Sequence, residues 1–323
     1  MNYRKLGRTQ WDVSDIGYGM WGLAGWADRN DVETRQSLQL AVDMGCNFFD
    51  TALAYGDGLS EKFLGELLRA NPEKNLIIAT KIPPKNRIWP SQRGFAIADV
   101  FPDDYIKSSV ETSLTNLGAD SLDLIQFHVW EDDWHREVGW QRTMESLKTQ
   151  GLVRAVGISL NRWEPTNVLK TLETGLIDAV QVIYNIFDQN PEDELFPYCV
   201  ANNIGVIARV PFDEGTLTGN LTKNSTWPAG DWRNTYFVPE NLHASVDRAE
   251  QLRPLIPQGM TMAEMALRFI LSNPAISTII PGMRKNSHVL SNIACSDAGG
   301  LPDELLTQLK AHRWDRTPTS WSQ

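Results

Sequence analysis

Residues 122–159 read LDLIQFHVWEDDWHREVGWQRTMESLKTQGLVRAVGIS, and this stretch contains one complete copy of a pattern that recurs along the chain. An apolar run at residues 122–128 is followed by a loop and an amphipathic stretch, and Gly151 then precedes a second apolar run at 153–159. Continuous apolar character, without strict alternation, is typical of strands that are buried on both faces of a sheet. The stretch therefore predicts a strand–helix–strand unit.

The same unit recurs along the chain at intervals of about 30 residues, a usual length for a βα repeat. Eight apolar runs are predicted to be strands: residues 16–19, 47–50, 76–81, 122–128, 153–159, 179–183, 206–209 and 277–281. Eight alternating β and α elements predict an α/β fold, a closed (β/α)8 barrel of the TIM type.

Further segments extend the predicted barrel. Residues 3–6 and 11–15 flank the turn residues 7–10 and predict an N-terminal β-hairpin, placed so that it could plug the barrel floor. The connections 83–102 and 211–259 are long for a compact domain, and we expect them to cover the carboxyl-terminal face, where long loops usually carry function. No linker or shift in composition divides the chain, so we expect one domain over residues 1–323.

Composition argues against several classes of function. The 323 residues carry 30 Lys and Arg against 40 Asp and Glu, and the net charge of −10 argues against a protein that grips nucleic-acid phosphates. The N-terminus has no apolar signal-peptide core, and no apolar run approaches the roughly 20 residues of a membrane span. Cys46, Cys199 and Cys295 are widely spaced and indicate neither a disulfide framework nor a zinc site. We therefore expect a soluble cytoplasmic protein without a nucleic-acid or membrane partner, of undetermined oligomeric state.

Residues 17–22 (GYGMWG) match the G-x-G-x-x-G pattern of dinucleotide-binding loops. In that motif the helix begins at the third glycine, so that its N-terminus meets the pyrophosphate. Here residues 23–27 intervene, and the helical pattern begins only near Asp31. Glycines in a tight first βα loop explain the match better than a Rossmann fold does.

Polar side chains stand at the predicted carboxyl ends of three strands, where catalytic groups lie in an α/β barrel. The second strand ends in Asp50, with Tyr55 in the loop after it; the third ends in Lys81 and the fourth in His128. A tyrosine hydroxyl has a pKa of about 10, which a nearby ammonium group lowers, while a carboxylate keeps the lysine charged. The histidine can hydrogen-bond the phenol or a carbonyl oxygen. Such a set suits protonation of an oxygen on which negative charge develops.

These residues resemble the aldo-keto reductase superfamily, including its bacterial members and the branches related to channel-associated β subunits. The resemblance extends along nearly the whole chain, from Leu6-Gly7-Arg8-Thr9 to Asn292. It is carried by Asp50-Thr51-Ala52-Leu53-Ala54-Tyr55-Gly56, which resembles the family signature, by Ser60-Glu61 and Leu64-Gly65 after it, and by Lys81 and His128 at the other tetrad positions.

The resemblance implies an NADP(H)-dependent oxidoreductase that reduces an aldehyde or ketone, including a sugar or an aromatic carbonyl, to an alcohol. Hydride would come from the nicotinamide, and Tyr55 would supply the proton as general acid. Lys81, oriented by Asp50, would lower the pKa of Tyr55, and His128 would orient the carbonyl. The hydride chemistry belongs to the cofactor and does not follow from residue spacing.

The resemblance also implies cofactor contacts along the chain. Ser159 and Gln181 would bond the nicotinamide amide, and Arg209 would stack where many relatives have an aromatic residue. The loop at 211–219 would hold the pyrophosphate, and residues 230–233 would lie over the cofactor. The full set is Met20, Trp21, Ser159, Gln181, Arg209, Pro211, Phe212, Gly215, Leu217, Arg233, Gly282, Arg284, His288 and Asn292. The sequence departs from the family at Leu160, where Asn is usual with Asn161 as a possible substitute, and at Ser291, where Glu is usual.

Arg284, followed by Lys285, is the reason to expect NADP as the cofactor in place of NAD. A guanidinium pairs a 2′-phosphate with two hydrogen bonds at once, and no acidic residue stands nearby in the sequence to take a ribose hydroxyl instead. The alternative is an exposed basic pair at the start of a helix. His288 is expected to add a contact.

Tryptophan is abundant, with 12 residues in the chain. Trp21, Trp89, Trp130 and Trp134 lie on or just after predicted strand ends, and the first three are candidate substrate contacts. Aromatic walls suit flat or ring-shaped substrates, including sugars. An equally good interpretation is that these side chains close a wide rim and bury loops.

Two other functions are left open by the fold. A nucleotide-binding sensory or regulatory protein would bind NADPH with little turnover, although the intact tetrad argues against it. A metal-dependent barrel hydrolase would need clustered histidines and carboxylates at strand ends. Of five histidines, His128 alone lies at a predicted strand end, and no H-x-H occurs, so no metal site is expected.

Overall fold

The computed structural model describes residues 1–23 and 30–322. Its strands are β1 (Tyr3–Lys5), β2 (Asp12–Ser14), β3 (Tyr18–Gly19), β4 (Phe48–Asp50), β5 (Ile77–Ile82), β6 (Leu122–Phe127), β7 (Val153–Ser159), β8 (Ala179–Ile183), β9 (Gly205–Arg209) and β10 (Thr278–Ile279). Its helices are α1 (Asp31–Asp43), α2 (Leu59–Ala70), α3 (Ile97–Val100), α4 (Asp103–Leu117), α5 (Val138–Thr149), α6 (Leu169–Leu172), α7 (Leu195–Ala201), α8 (Arg233–Tyr236), α9 (Pro239–Leu252), α10 (Met262–Leu271), α11 (Asn286–Ala298) and α12 (Asp303–Lys310).

Strands β3 to β10 form one parallel sheet in which each strand pairs with the next along the chain. Single bridges join Ile16 to Ile279 and Gly19 to Gly282, so the last strand lies beside the first and the sheet closes. Helices occupy the connections between successive strands. The predicted (β/α)8 barrel is confirmed.

Element boundaries follow the sequence pattern closely in the middle of the chain and less closely at the seam. β7 and β8 have the predicted bounds. β3 and β10 are shorter than predicted, because the backbone beside each of them makes only single bridges across the seam. Helix α4 ends before Gly118, whose φ of 64° is a left-handed conformation that glycine adopts without strain.

The antiparallel hairpin of β1 and β2 closes the end of the barrel at which the strands begin. Leu6, at its turn, and Val13 are fully buried. Both belong to an apolar cluster inside the barrel that includes Phe48 and Ile207. The hairpin therefore plugs the floor, as the sequence suggested.

The glycine-rich segment at 17–22 contributes to barrel closure. A Cβ atom on Gly19 would lie 2.5 Å from the carbonyl oxygen of Ile280, so the strand can approach its neighbour only with glycine at this position. The third glycine lies in a short 3-10 turn, and the next helix, α1, begins at Asp31. This separation excludes the Rossmann arrangement. Residues 24–27, which the sequence analysis placed between the third glycine and helix α1, lie outside the described residues.

Both long connections carry structure of their own. The connection 83–102 contains α3, and 211–259 contains α8 and α9. Tyr236 and Phe237 form a small apolar cluster with Leu242 and Val246, and Trp232 packs against it. Among the described residues, no helix is both long enough and apolar enough to cross a membrane.

We expect Gly7→Ala to destabilise the protein far more than Gly175→Ala. Both glycines have a positive φ, 49° and 76°, so both substitutions strain the backbone. A methyl group at position 7 would overlap the backbone of Gly205 in the floor, whereas no described atom lies within 4 Å of the equivalent point at Gly175. We expect the free energies of unfolding, measured by urea denaturation, to differ by at least about 2 kcal/mol. Equal losses would contradict the tightly packed floor.

Candidate active site

A buried ion pair lies inside the barrel. Asp50 ends β4, Lys81 lies in β5, and the carboxylate oxygen and ammonium nitrogen are 2.5 Å apart. The two side chains are 3% and 0% exposed, respectively. The second carboxylate oxygen of Asp50 accepts hydrogen bonds from Gln181 at 2.7 Å and from Gln126 at 3.1 Å. Side chains of three strands, β5, β6 and β8, therefore hold this carboxylate.

Tyr55 lies in the loop after β4, beside the ion pair. Its hydroxyl oxygen is 3.5 Å from Nζ of Lys81, which also donates to the backbone carbonyl of Thr51 at 2.8 Å. Burial raises the pKa of Tyr55, and Lys81 acts in the opposite direction without cancelling this effect. Lys81 thus lowers the pKa of Tyr55 as expected, but burial has the larger effect, and the pKa is raised overall. The Tyr55 hydroxyl stays protonated at neutral pH and can donate.

His128 follows β6 on the same side of the barrel. Its ring lies 5.7 Å from the ring of Tyr55 and 5.9 Å from that of Trp89. Burial, with the charges of Lys81 and Arg209, holds the pKa of His128 well below its usual value. Its Nδ1 is buried and has no hydrogen-bond partner among the described residues. The imidazole is therefore neutral at neutral pH.

A cavity of about 160 Å³ opens beside these side chains, at the carboxyl ends of the strands. Its lining includes Tyr55, Trp89, Pro90, His128, Val129, Ser159, Leu160, Asn161, Arg162, Gln181, Arg209 and Ser322. Tyr55 and His128 thus face the cavity directly. Lys81 and Asp50 lie behind Tyr55, where the ammonium can act on the phenol.

Sequence comparison identifies the family of this barrel. The profile described as "Aldo/keto reductase family" matches residues 15–313, which is most of the chain. The chain belongs to the aldo/keto reductase family. The recognition made from the signature around Tyr55 is confirmed, and members of this family are oxidoreductases that use nicotinamide cofactors.

Three bacterial proteins show the extent of the similarity. An uncharacterized oxidoreductase of Bacillus subtilis is 29% identical over 97% of this chain and 96% of its own length. The NADH-specific methylglyoxal reductase of Escherichia coli is 29% identical over 90% of this chain and 91% of its own. The holo form of an aldo-keto reductase from Bacillus halodurans superposes with a TM-score of 0.77 at 25% identity, covering 100% of both chains. This aldo/keto reductase therefore shares its full length with enzymes of the family.

The three residues expected at the nicotinamide lie together in the aldo/keto reductase barrel. Ser159 ends β7, Gln181 pairs with it in β8, and Arg209 ends β9; all three line the cavity. Arg209 donates from Nη2 to the carbonyl of Leu160 at 2.9 Å, and its Nε is buried without a partner among the described residues. Burial lowers the pKa of Arg209 to about 10, and Arg162 adds to the effect. A buried cation with an open donor can receive a ligand here.

Asn161, the possible substitute for the asparagine that is usual at position 160, makes several hydrogen bonds within the protein. Its amide nitrogen donates to the carbonyl of Trp130 at 2.8 Å and to the carboxylates of Glu131 and Glu164 at 3.0 and 3.2 Å. These bonds tie the loop after β7 to the loop after β6. The donor of Asn161 is therefore used inside the protein, and Leu160 offers no amide in its place.

The candidate aromatic contacts separate into cavity and core. Trp89 lines the cavity beside His128. Trp130 is 0% exposed, packs against Phe127 and Trp140 with ring centroids 5.0 and 5.1 Å away, and is absent from the cavity lining. The structure therefore places Trp130 in the core, as it does Trp134, because α5 and the neighbouring rings cover them. The second interpretation of the tryptophans, burial under loops, holds for this pair.

Four expected pyrophosphate contacts lie in the loop after β9: Pro211, Phe212, Gly215 and Leu217. Within this loop Asp213 and Glu214 have positive φ angles of 45° and 55°, which non-glycine residues rarely adopt. Ion pairs hold both residues: Glu214 pairs with Arg162 at 2.5 Å, and Asp213 with Arg316 at 2.7 Å. Side chains from two other segments therefore fix the loop in its strained conformation.

Other expected contacts differ in how much of each residue a cofactor could reach. Met20 and Leu217 are both 0% exposed, so neither residue presents accessible surface to a ligand in this structure. Trp21 is 43% exposed, and its ring lies 5.0 Å from that of Trp232, in the segment expected to lie over the cofactor. Arg233, in the same segment, pairs with a neighbouring aspartate at 2.6 Å.

Arg284 and Lys285 line a second, smaller pocket, next to the start of α11. Glu33, in the first turn of α1, lines the same pocket. The expectation that no acidic residue lies near Arg284 is therefore wrong. Glu33 is far from Arg284 in the sequence, but the two residues line one pocket because α1 packs against α11. The remaining expected adenosine contacts are Gly282 and His288, which are exposed, and Asn292, which is buried.

The sequence analysis missed three polar residues of the site, besides Pro90 and Val129 in the cavity lining. Gln126 bonds Asp50, and its signal was available, since it is a lone amide inside the apolar run of β6. Arg162 and Ser322 reach the cavity from a loop and from the C-terminal segment, where no motif marks them. In the described part of the chain, no three His, Cys, Asp or Glu side chains converge as metal ligands.

We expect His128→Gln to reduce the loss of stability in mild acid. The pKa of His128 is far lower in the folded protein than in the unfolded chain, where it is about 6.5, so below that pH unfolding takes up a proton. Stability is therefore full above about pH 6.5 and decreases as the pH falls. Between pH 7.5 and 5.5, the free energy of unfolding should decrease by about 1 kcal/mol less in the variant than in the wild type. Urea denaturation at each pH measures it. The exposed His243→Gln should behave like the wild type; an equal decrease in all three proteins would contradict a buried neutral imidazole.

Proposed function

We propose that this chain is an NADPH-dependent reductase that converts an aldehyde or a ketone to an alcohol. One observation carries the proposal: the Tyr55 hydroxyl lines the cavity, 3.5 Å from a lysine that is itself paired with Asp50. A protonated phenol with a cation behind it can release its proton to an oxygen and be stabilised as phenolate. That is the task of a general acid in carbonyl reduction.

Tyr55 supplies the proton. Burial keeps its hydroxyl protonated at neutral pH, so the proton is available when a carbonyl oxygen in the cavity gains negative charge. As Tyr55 donates, the ammonium of Lys81 stabilises the phenolate that remains. Asp50, at 2.5 Å, holds Lys81 in position.

His128 orients the substrate. A neutral imidazole donates a single hydrogen bond, and a carbonyl oxygen placed between the rings of Tyr55 and His128 would accept from both. Trp89 supplies an apolar wall beside His128. The cavity of about 160 Å³ suits a small substrate, and its aromatic wall suits a sugar or an aromatic carbonyl.

The hydride for this reaction belongs to the nicotinamide cofactor. The residues present fit such a group, since Ser159 offers a hydroxyl and Gln181 its side-chain oxygen, side by side at the cavity wall, while the Gln181 amide nitrogen donates to Asp50 and Gln126. The Nε of Arg209 and the Nδ1 of His128 are buried and lack partners among the described residues, so a polar ligand would satisfy them. The planar guanidinium of Arg209 can also stack on a ring.

Arg284 and Lys285 support NADP as the cofactor. A guanidinium and an ammonium in one pocket offer a 2′-phosphate two positive partners, one of them bidentate. The loop after β9 would hold the pyrophosphate, with Trp21 and Arg233 over the cofactor and the residues around α11 at the adenosine.

The proposed enzyme acts on a small molecule in the cytoplasm. Its three cysteines are free and buried, which suits a reducing compartment. The net charge of −10 favours a small-molecule role over nucleic-acid binding.

The proposal is tested by following NADPH absorbance against a panel of aldehydes, ketones and sugars, with NADH in parallel. Turnover that is faster with NADPH supports the proposal and ranks the substrate class. Tight NADPH binding without turnover on any compound supports the nucleotide-binding regulatory protein instead.

We expect Tyr55→Phe to reduce kcat for carbonyl reduction by at least about 100-fold, because the proton donor is lost. The dissociation constant for NADPH should stay within about twofold of the wild type, since the ring and the cavity wall remain. Stopped-flow kinetics and calorimetric titration measure the two quantities. Near-normal turnover would show that another group is the acid.

We expect Arg284→Ala to raise the dissociation constant for NADPH by about tenfold and that for NADH by less than about twofold. The lost bidentate pair acts on the 2′-phosphate, which NADH lacks. Isothermal titration with each nucleotide checks this, and equal losses would remove the basis of the NADP preference.

A further inference from the structure

The pocket beside Arg284 carries charges of both signs. Its volume is about 30 Å³, and its lining includes Arg284 and Lys285. Glu33, in the first turn of α1, lines the same pocket with Thr34. Because α1 and α11 pack against each other, this carboxylate belongs to the same site as the two cations.

The carboxylate of Glu33 has capacity for a ligand. Its backbone N–H donates to the side chain of Asn30, but its half-buried side chain makes no hydrogen bond or ion pair with any described residue. The charge of Glu33 also acts on His288, a residue of α11. Burial, Lys285 and Arg284 lower the pKa of His288, and Glu33 raises it in part. An unpaired carboxylate of this kind accepts a hydrogen bond from a hydroxyl group.

We propose that Glu33 determines the cofactor specificity of this enzyme: it accepts a hydrogen bond from the ribose 2′-hydroxyl of NADH and repels the 2′-phosphate of NADPH, so that both are cofactors. The inference rests on the proposed function, which places the ribose end of a nicotinamide cofactor at Arg284.

The two forms of the cofactor make opposite demands on such a pocket. A 2′-phosphate brings close to two negative charges and needs cations, whereas a 2′-hydroxyl is a donor and needs an acceptor. Dinucleotide sites use an acidic residue for NAD and an arginine for NADP. This pocket contains both, so the attraction of Arg284 and Lys285 for the phosphate is partly offset by Glu33. The preference for NADPH is therefore modest, and it depends on a residue outside the catalytic cavity.

The test measures dissociation constants for NADPH and NADH by isothermal titration in the wild type and in Glu33→Gln, which keeps the shape and removes the charge. We expect the constant for NADPH to fall about fivefold and that for NADH to rise about threefold. The effect of Glu33→Gln on the dissociation constant for NADPH should be smaller in 0.5 M salt. That effect is electrostatic, and at this ionic strength the Debye length is below about 5 Å, so the charges are screened. Glu33→Asp, which keeps the charge, should leave the constant for NADPH within about twofold of the wild type.

Glu111→Gln is the matched control, because it removes the same charge from an exposed position on α4. The inference is overturned if Glu33→Gln leaves the ratio of the NADPH and NADH dissociation constants unchanged. It is also overturned if Glu111→Gln changes that ratio by the same amount. Binding of neither nucleotide to the wild type overturns the proposed function and the inference with it. Binding without turnover overturns only the proposed chemistry, and the ratio still decides the role of Glu33.

Discussion

The ion pair of Asp50 and Lys81 is the constraint on which both the barrel and the site depend. Two charges this deeply buried lose most of their hydration, and each is tolerated because the other neutralises it. Gln126 and Gln181 satisfy the remaining carboxylate oxygen from two further strands, so the network also ties strands together. Tyr55 lies against the same ammonium, so the buried ion pair also lies beside the proposed proton donor. Removing one partner would leave an uncompensated buried charge, at a cost of about 3–5 kcal/mol.

A second set of ion pairs shapes the mouth of the cavity. Arg316, in the C-terminal segment, lies 4.6 Å from the rings of both Trp163 and Trp314 and pairs with Asp213 in the loop after β9. Arg162 pairs with the next residue of that loop and also lines the cavity. Cationic side chains that stack on indoles and bind carboxylates thus connect segments that are distant along the chain. The loop and the cavity wall are held by one network, so a change in either is felt by the other.

The barrel and the tetrad could be predicted from the sequence because each depends on local pattern: strands buried on both faces leave continuous apolar runs, and strand ends converge whatever lies between them. Three features could not. Trp130 follows a strand end as expected of a cavity residue, but its neighbours enclose it in the core. The direction of the Tyr55 pKa depends on a balance between burial and one shared cation. Glu33 and Arg284 lie near opposite ends of the sequence, and they line one pocket because the sheet closes. The order of charged residues along the chain does not show this proximity.

The plugged floor has a kinetic consequence. Leu6 and Val13 fill the end of the barrel where the strands begin, so within the described structure the proposed cofactor and substrate would both reach the site through the opposite end. When two molecules enter a cavity by the same opening, the one whose binding position lies deeper has to bind first. Ser159 and Gln181 are almost fully buried, whereas Trp89 lies further out, so the nicotinamide end would enter first and the carbonyl compound would cover it. Under the proposed function, the alcohol would then depart before the oxidised cofactor, and release of that cofactor would be the last step of each catalytic cycle.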